Sequence, residues 1–513
     1  MATARPVTRL GADSTLTEVS MAEQTIPNWL AKRTFLTPER IAVESSGHVW
    51  TYRELDERAR TTAAKFACFG VREGDRVALL VKNGMHTVEI IHALHYIGAV
   101  LVPLNVRLSA GELAWQVTDA DARLFVYDSS QEEKAKAVAE KVPGCEAVSW
   151  GTLASTDSGS GTPPLKRVMA LDALHSIMYT SGTTGRPKGV MLTYGNHWWS
   201  AVSSALNLGL HTGDRWLACV PMFHMSGLSI LIRSVIYGIT LVVHESFQPD
   251  VVNRALMKEK VTIVSVVSAM LDRMVEQLGS SAYPETFRCM LLGGGPVPLP
   301  LLDKCLRKRI PVFQTYGLTE TASQIATLPP EYMADKSGSA GKPLFPSELR
   351  IVADGKEQLP GQEGEIVVKG PTVTPGYWKR ERATANTLRD GWLHTGDIGY
   401  VDEDGFLYVL DRRSDLIISG GENVYPAEVE SHLTSHPAVR EAGVTGVPHP
   451  RWGQVPVAFV SLKDDHAVSE EALRQYCREK LAKYKVPVRI HFVDKLPRNA
   501  SNKLLRRELL KLL

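Results

Sequence analysis

The chain is most constrained by what it lacks. Its 58 Lys and Arg against 56 Asp and Glu leave a formal charge of only +2 over 513 residues. No electrostatic footprint for nucleic acid or for an anionic membrane is present. Six cysteines, Cys68, Cys145, Cys219, Cys289, Cys305 and Cys477, lie scattered through apolar or helical stretches, none in a CxxC pair. They read as reduced thiols of a cytoplasmic protein with no zinc site. The longest apolar stretches, Ile90–Leu104 and Leu228–Val243, are interrupted by His or Arg. Both are too short to span a bilayer, so stable membrane insertion is not expected. Residues 1–20 are polar without an apolar core, which argues against a signal peptide. They are expected to form a poorly ordered extension before a start at Met21. No internal repeat is visible.

The length exceeds what one hydrophobic core usually serves, so two or more domains are expected. From Asn28 to Tyr127 strand and helix patterns alternate, as in a parallel α/β sheet. Thr51 and Glu54 make a capping box for a helix, Arg76–Val81 reads as a buried strand, and Met85–Ile97 as a helix. Strands continue at 215–220, 240–243, 263–267 and 289–292. From Leu349 the pattern changes to short strands and turns, a small β-rich unit. The last hundred residues mix two helices (427–433 and 470–481) with strands at 457–462 and 489–492. A domain boundary is placed at Arg412–Ser414.

Tyr179-Thr-Ser-Gly-Thr-Thr-Gly-Arg-Pro-Lys-Gly189 carries three glycines, four Ser/Thr hydroxyls and two cations. Strand-like runs flank it on both sides. Glycine backbone and hydroxyls at Thr180, Ser181, Gly182, Thr183, Thr184 and Gly185 suit phosphate oxygens, and Lys188 adds a point charge. Lys188 follows Pro and precedes Gly, so this is not a Walker A loop. Gln314-Thr-Tyr-Gly-Leu-Thr-Glu320 follows a strand and reads as a turn at its end. Tyr316 offers an aromatic face, Gly317 a close turn, and Thr319 and Glu320 oxygen ligands for Mg²⁺. Gly293-Gly-Gly295 ends another strand. Asp397 presents an acceptor-only carboxylate after Trp392-Leu-His-Thr-Gly.

These spaced motifs resemble the acyl-adenylate-forming enzymes, which include acyl-CoA synthetases, luciferases and adenylation domains. The resemblance runs from about Trp29 to Lys503. It implies an α/β fold: a large N-terminal domain of two α/β subdomains plus a distorted β-barrel subdomain (21–412), and a small mobile α+β C-terminal domain (413–513). It implies ATP, Mg²⁺ and coenzyme A as cofactors or co-substrates and a small carboxylic acid as substrate. By match, Gly294, Thr315, Tyr316, Gly317 and Thr319 contact the nucleotide, Glu320 the metal, Asp397 the ribose and Arg412 ribose and phosphate. Ser414 falls at the hinge, where relatives often carry Asp or Lys. Gly420 and Gly421 match the glycines along the pantetheine arm. Lys503 matches the catalytic lysine, with Asn502 standing where many relatives have Gly.

In Pro221-Met-Phe-His-Met-Ser-Gly, Phe223-His224 stand where amino-acid-activating relatives carry an Asp. His224 matches a catalytic or pocket position, and Gly293, Ser323 and Gln324 are further pocket candidates. Arg233 lies in a helix pattern otherwise made of Leu, Ile and Val, which is costly unless the charge is answered. A snorkelling Arg or structural ion pair is one reading; a second carboxylate on the substrate is the other. o-Succinylbenzoate, a menaquinone precursor, carries such a carboxylate. Pro27–Leu30, Pro221–Tyr237, Gln314–Leu328 and Arg412–Glu430 resemble the branch of the family that activates it. An aryl- or medium-chain acyl-CoA ligase and a carrier-loading adenylating enzyme stay open. Gly420-Gly421 favours free CoA, and no carrier domain is expected after Leu513. The oligomeric state stays open, with a homodimer or higher homo-oligomer among the alternatives.

Overall fold

A computed structural model describes residues 24–158, 165–180, 187–294, 297, 299–411, 416–424, 426–464, 466–497, 504 and 506–513. The expected N-terminal extension and the boundary residues 412–414 lie outside the described residues.

Two α/β sheets form the bulk of the large domain. The first has six strands in the spatial order Lys188–Thr193, Leu174–Thr180, Val100–Pro103, Arg76–Leu80, Ala122–Tyr127, Glu146–Ser149. All neighbours are parallel except the first pair. The second sheet has nine, running from Lys342–Pro343 through Ser323–Leu328, Val312–Leu318, Cys289–Leu292, Ile263–Val266, Arg215–Ala218 and Thr240–Val243 to the hairpin Ile41–Ser45/His48–Thr51. Strands such as Val100–Pro103, Thr240–Val243 and Cys289–Leu292 are buried along their whole length. Helices covering both faces require this of a parallel sheet, which is why these runs are apolar without alternation.

Local signals set many boundaries. Thr51 Oγ1 accepts from Glu54 N, and Glu54 Oε2 accepts from Thr51 N at 2.7 Å, opening the helix Tyr52–Cys68. The helix Met85–Ile97 ends at Gly98, whose φ of +77° is the left-handed cap glycine accepts readily.

The third sheet is antiparallel, a half-barrel built on Gly364–Lys369 and Trp392–Val401. The C-terminal domain pairs the long strands Val439–His449 and Gly453–Leu462, flanked by Ile417–Ser419, Glu422–Val424 and Arg489–Phe492. The expected fold class holds: a large N-terminal domain and a small α+β C-terminal one.

Two expectations change. The strand entering the Gln314–Glu320 motif does not end at Phe313. It runs to Leu318, because Ser323–Leu328 folds back and pairs with it, with a register shift at Tyr316/Gly317. The strand Val439–His449 escapes a reading by alternation because Glu441, Gly443 and Pro448 interrupt its apolar pattern.

Candidate active site

The phosphate-loop candidate lies between two antiparallel paired strands, Leu174–Thr180 and Lys188–Thr193. Thr180 lies directly opposite Lys188 in register, so both ends of the loop between them are pinned. Ser181, Gly182, Thr183, Thr184 and Gly185 lie outside the described residues. The connection between the third-sheet strands Gly364–Lys369 and Trp392–Val401 runs beside the strand Lys188–Thr193: Trp378 N donates to Gly189 O at 2.8 Å, and Tyr377 bridges to Val190. This places the Tyr377 ring 5.0 Å from Lys188 Nζ, a cation–π distance.

The same tyrosine reaches the metal-ligand candidate. Tyr377 OH donates to Glu320 Oε1 at 3.0 Å, and Thr374 N donates to Glu320 O at 2.8 Å. Glu320 sits in the short helical turn Thr319–Thr321 that follows the strand. Among the described residues no group of three or more His, Cys, Asp or Glu could hold a metal ion. A site with one carboxylate fits Mg²⁺ bound mainly through phosphates and water.

Gly317 is fixed by the backbone of the returning strand. A methyl group there would lie 1.9 Å from Ser323 O. Tyr316 is buried, and its OH donates to Asp397 Oδ2 at 2.7 Å. Asp397, only 3 % exposed, thus faces the nucleotide motif from the half-barrel sheet. The Thr315 hydroxyl is engaged between strands, donating to Ala326 O at 2.9 Å.

His224 is the residue before the helix Met225–Tyr237, which carries Arg233. Arg233 is 1 % exposed and does not snorkel. Among the described residues no carboxylate pairs with it. Its Nη2 donates to Ser200 Oγ at 3.0 Å, its guanidinium lies 5.8 Å from the Trp216 ring, and its Nε has no partner among the described residues. Burial lowers the guanidinium from its ordinary value, with Tyr237 opposing. Ser200 Oγ in turn donates to Ala322 O at 2.6 Å. Ala322 and Ser323 both have positive φ, +51° and +105°, a conformation that costs about 1–3 kcal/mol per non-glycine residue and collects at functional sites. Next to them Gln324 is 3 % exposed, and neither its amide oxygen nor its nitrogen has a partner among the described residues. A buried guanidinium edge and a buried amide left unsatisfied on adjoining elements are what a polar ligand would answer.

The C-terminal domain closes the site. Gly421, with φ +85°, comes close enough that a methyl group on it would lie 3.4 Å from Val267 Cγ2. Val267 also stands against Gly294, where the equivalent distance is 3.0 Å. Gly420 packs on Trp452. The next residue, Glu422, was not singled out in the sequence. It bonds to Arg107 Nη1, lies 3.5 Å from His224 Nε2 and accepts from Asn105 Nδ2 at 3.4 Å. Burial pushes its carboxyl up, but His224, Arg107 and Asn105 together hold it below the usual carboxylate range. Its position directly after Gly420-Gly421 was the available signal. Arg412, Ser414 and Lys503 lie outside the described residues.

Residues 30–378 match the AMP-binding enzyme family, and residues 428–503 the AMP-binding enzyme C-terminal domain. The 2-succinylbenzoate–CoA ligase of Geobacillus kaustophilus (strain HTA426) is 60 % identical over 490 residues, covering 95 % of this chain and 98 % of the relative. A double mutant of o-succinylbenzoate CoA synthetase from Bacillus subtilis, bound to a product analogue, superposes with TM-score 0.91 at 48 % identity, covering 95 % of this chain and 99 % of that one. The same enzyme with its acyl-adenylate intermediate gives TM-score 0.74 at 49 % identity, covering 95 % and 98 %. Identity and coverage differ by one percentage point between the two, so the higher TM-score means that this chain superposes more closely on the product-analogue complex.

Proposed function

The chain belongs to the AMP-binding enzyme family, and we propose that it joins 2-succinylbenzoate to coenzyme A at the expense of ATP, in menaquinone biosynthesis and in the cytoplasm. The observation that carries the choice of acid is Arg233: a buried guanidinium with no carboxylate partner among the described residues, linked through Ser200 to Ala322, two residues before the buried Gln324. An acid with a second carboxylate answers that charge. Kinship with ligases of this acid supports the reading.

Two anions must meet in the first step. The succinyl carboxylate attacks the α-phosphorus of ATP, and the bond to pyrophosphate breaks. Lys188 and the loop it closes hold phosphate oxygens. Asp397, oriented by Tyr316, accepts the ribose hydroxyls. Glu320, held by Tyr377, would hold Mg²⁺, which would supply charge neutralisation. Lys503 bridges the two reacting anions, and such preorganised charge is commonly worth about 10²–10³ in rate. In the second step the thiol of coenzyme A attacks the acyl carbon, and the carbon–oxygen bond to AMP breaks. Gly420 and Gly421 leave room for the thin pantetheine arm. Arg233 and Gln324 hold the benzoate carboxylate through both steps, with His224 and Ser323 beside the acyl group.

The test is AMP release with MgATP and coenzyme A across a panel of acids: 2-succinylbenzoate, benzoate, 4-substituted benzoates and a medium-chain fatty acid. Strong preference for 2-succinylbenzoate is expected. Turnover of the others without it would remove the assignment of the acid while keeping the chemistry.

A further inference from the structure

Away from the reacting groups, a buried charge cluster ties the two domains together. Lys485 Nζ donates to Glu112 Oε1 and to Glu428 Oε1, each at 2.8 Å. The three side chains are 4 %, 8 % and 3 % exposed. Glu112 lies in the part of the chain matching the AMP-binding enzyme family, whereas Glu428 and Lys485 lie in the part matching its C-terminal domain. The Glu112 carboxylate does two jobs. Its Oε2 accepts from Ser109 N at 2.9 Å and from Ser109 Oγ at 2.8 Å, capping the helix Ala110–Asp119, while its Oε1 faces Lys485. Ser109 Oγ also lies 2.8 Å from Lys480 O, an alternative acceptor for its one proton, and Ala482 packs into the apolar cluster containing Leu113 and Val117. The N-terminal turn of this helix is therefore the seat on which the 480–485 segment rests.

Such a cluster is a poor device for bulk stability. Stripping water from a lysine and two carboxylates costs about as much as their attraction returns. What buried ion pairs can supply is choice between arrangements. Lys485 and Glu428 share a domain and stay neighbours wherever it moves. Only the contact with Glu112 depends on how the domain is seated. In the arrangement observed, Gly421 stands at Val267 and Glu422 at His224.

We propose that the Glu112–Lys485 pair seats the C-terminal domain in the thioester-forming arrangement, making both positioning residues for the second half-reaction alone. This rests on the ligase reading above. The substitution Glu112→Gln tests it in the full chain, since glutamine still serves as a capping-box partner for Ser109. Pyrophosphate release from ATP and acid without coenzyme A should stay within about twofold of wild type. Thioester formation from preformed acyl-adenylate and coenzyme A should fall about tenfold, the scale of one lost interdomain contact. Spin labels on the two domains should report depletion of the short-distance population, and the urea midpoint should hold. Equal loss in both half-reactions, or unchanged thioester formation with an unchanged distance distribution, would overturn the proposal. Should wild type form no thioester at all, the ligase reading falls, and the label distances alone decide whether Glu112 seats the domain.

Discussion

The phenol of Tyr316 donates to Oδ2 of Asp397 at 2.7 Å, joining the third strand of the nine-stranded sheet to the half-barrel sheet. The bond aims a buried carboxylate at the nucleotide motif and occupies one of its oxygens. Tyr316→Phe leaves the ring and removes the donor. Losing a hydrogen bond to a buried charged group costs about 1.5–3 kcal/mol, or on the order of 10-fold to 100-fold. The KM for ATP should rise by that order while the KM for the acid holds. Steady-state kinetics with each substrate varied in turn checks this.

Arg233→Ala should raise the KM for 2-succinylbenzoate on the order of 10²-fold and leave the KM for ATP unchanged, because an unanswered buried carboxylate is strongly unfavourable. Arg233 also touches the turn beside Glu320 through Ser200 and Ala322. Ser200→Ala cuts that link and keeps the guanidinium. If the two variants raise both KM values alike, Arg233 serves the turn and not the acid.

Tyr377→Phe should increase the Mg²⁺ concentration needed for half-maximal pyrophosphate release several-fold, since Glu320 loses its 3.0 Å partner. Chelation of Mg²⁺ should abolish adenylation in both proteins. A Mg²⁺ titration identical to wild type would separate Tyr377 from the metal.

Four imidazoles, His92, His95, His175 and His197, are buried in the large domain, and ring centroids of His175 and His197 lie 4.3 Å apart. Burial lowers His92 and His197 to about 3 from an ordinary 6.5. For His197 the neighbouring Arg233 adds to the effect. Between those values the unfolded chain takes up protons that the folded chain refuses. Their contribution to stability is therefore intact above the unfolded value and declines as pH falls, by about 1.4 kcal/mol per pH unit for each histidine. Urea midpoints should drop between about pH 7.5 and about pH 5.5, and His197→Asn should flatten the slope. A pH-independent midpoint would contradict it.

Lys503→Ala should cripple adenylation by about 10²–10³ and largely spare thioester formation from preformed adenylate. This rests on the match of Lys503 to the family's catalytic lysine. Equal loss in both half-reactions would count against the assignment.

What could be read from the sequence was local or carried by motifs. The capping box of Thr51 and Glu54, the helix Met85–Ile97 and the strand Cys289–Leu292 follow from spacing over a few residues, and the structure has them where expected. Tyr316, Glu320 and Asp397 were legible as motif members. The partners that aim them were not. Tyr377 stands 57 residues from Glu320, and Arg107 stands 315 from Glu422. No periodicity encodes a pairing across two sheets or two domains. Arg233 was visible as a charge in an apolar helix, but its burial without a carboxylate partner among the described residues is a tertiary fact.

The account stands or falls on one experiment. The purified chain is mixed with MgATP and 2-succinylbenzoate without coenzyme A, quenched, and the products are identified by mass; coenzyme A is then added. The account predicts one equivalent of acyl-adenylate with pyrophosphate, converted to the thioester and AMP when coenzyme A arrives. Absence of the adenylate with this acid, while another acid is converted, would contradict it.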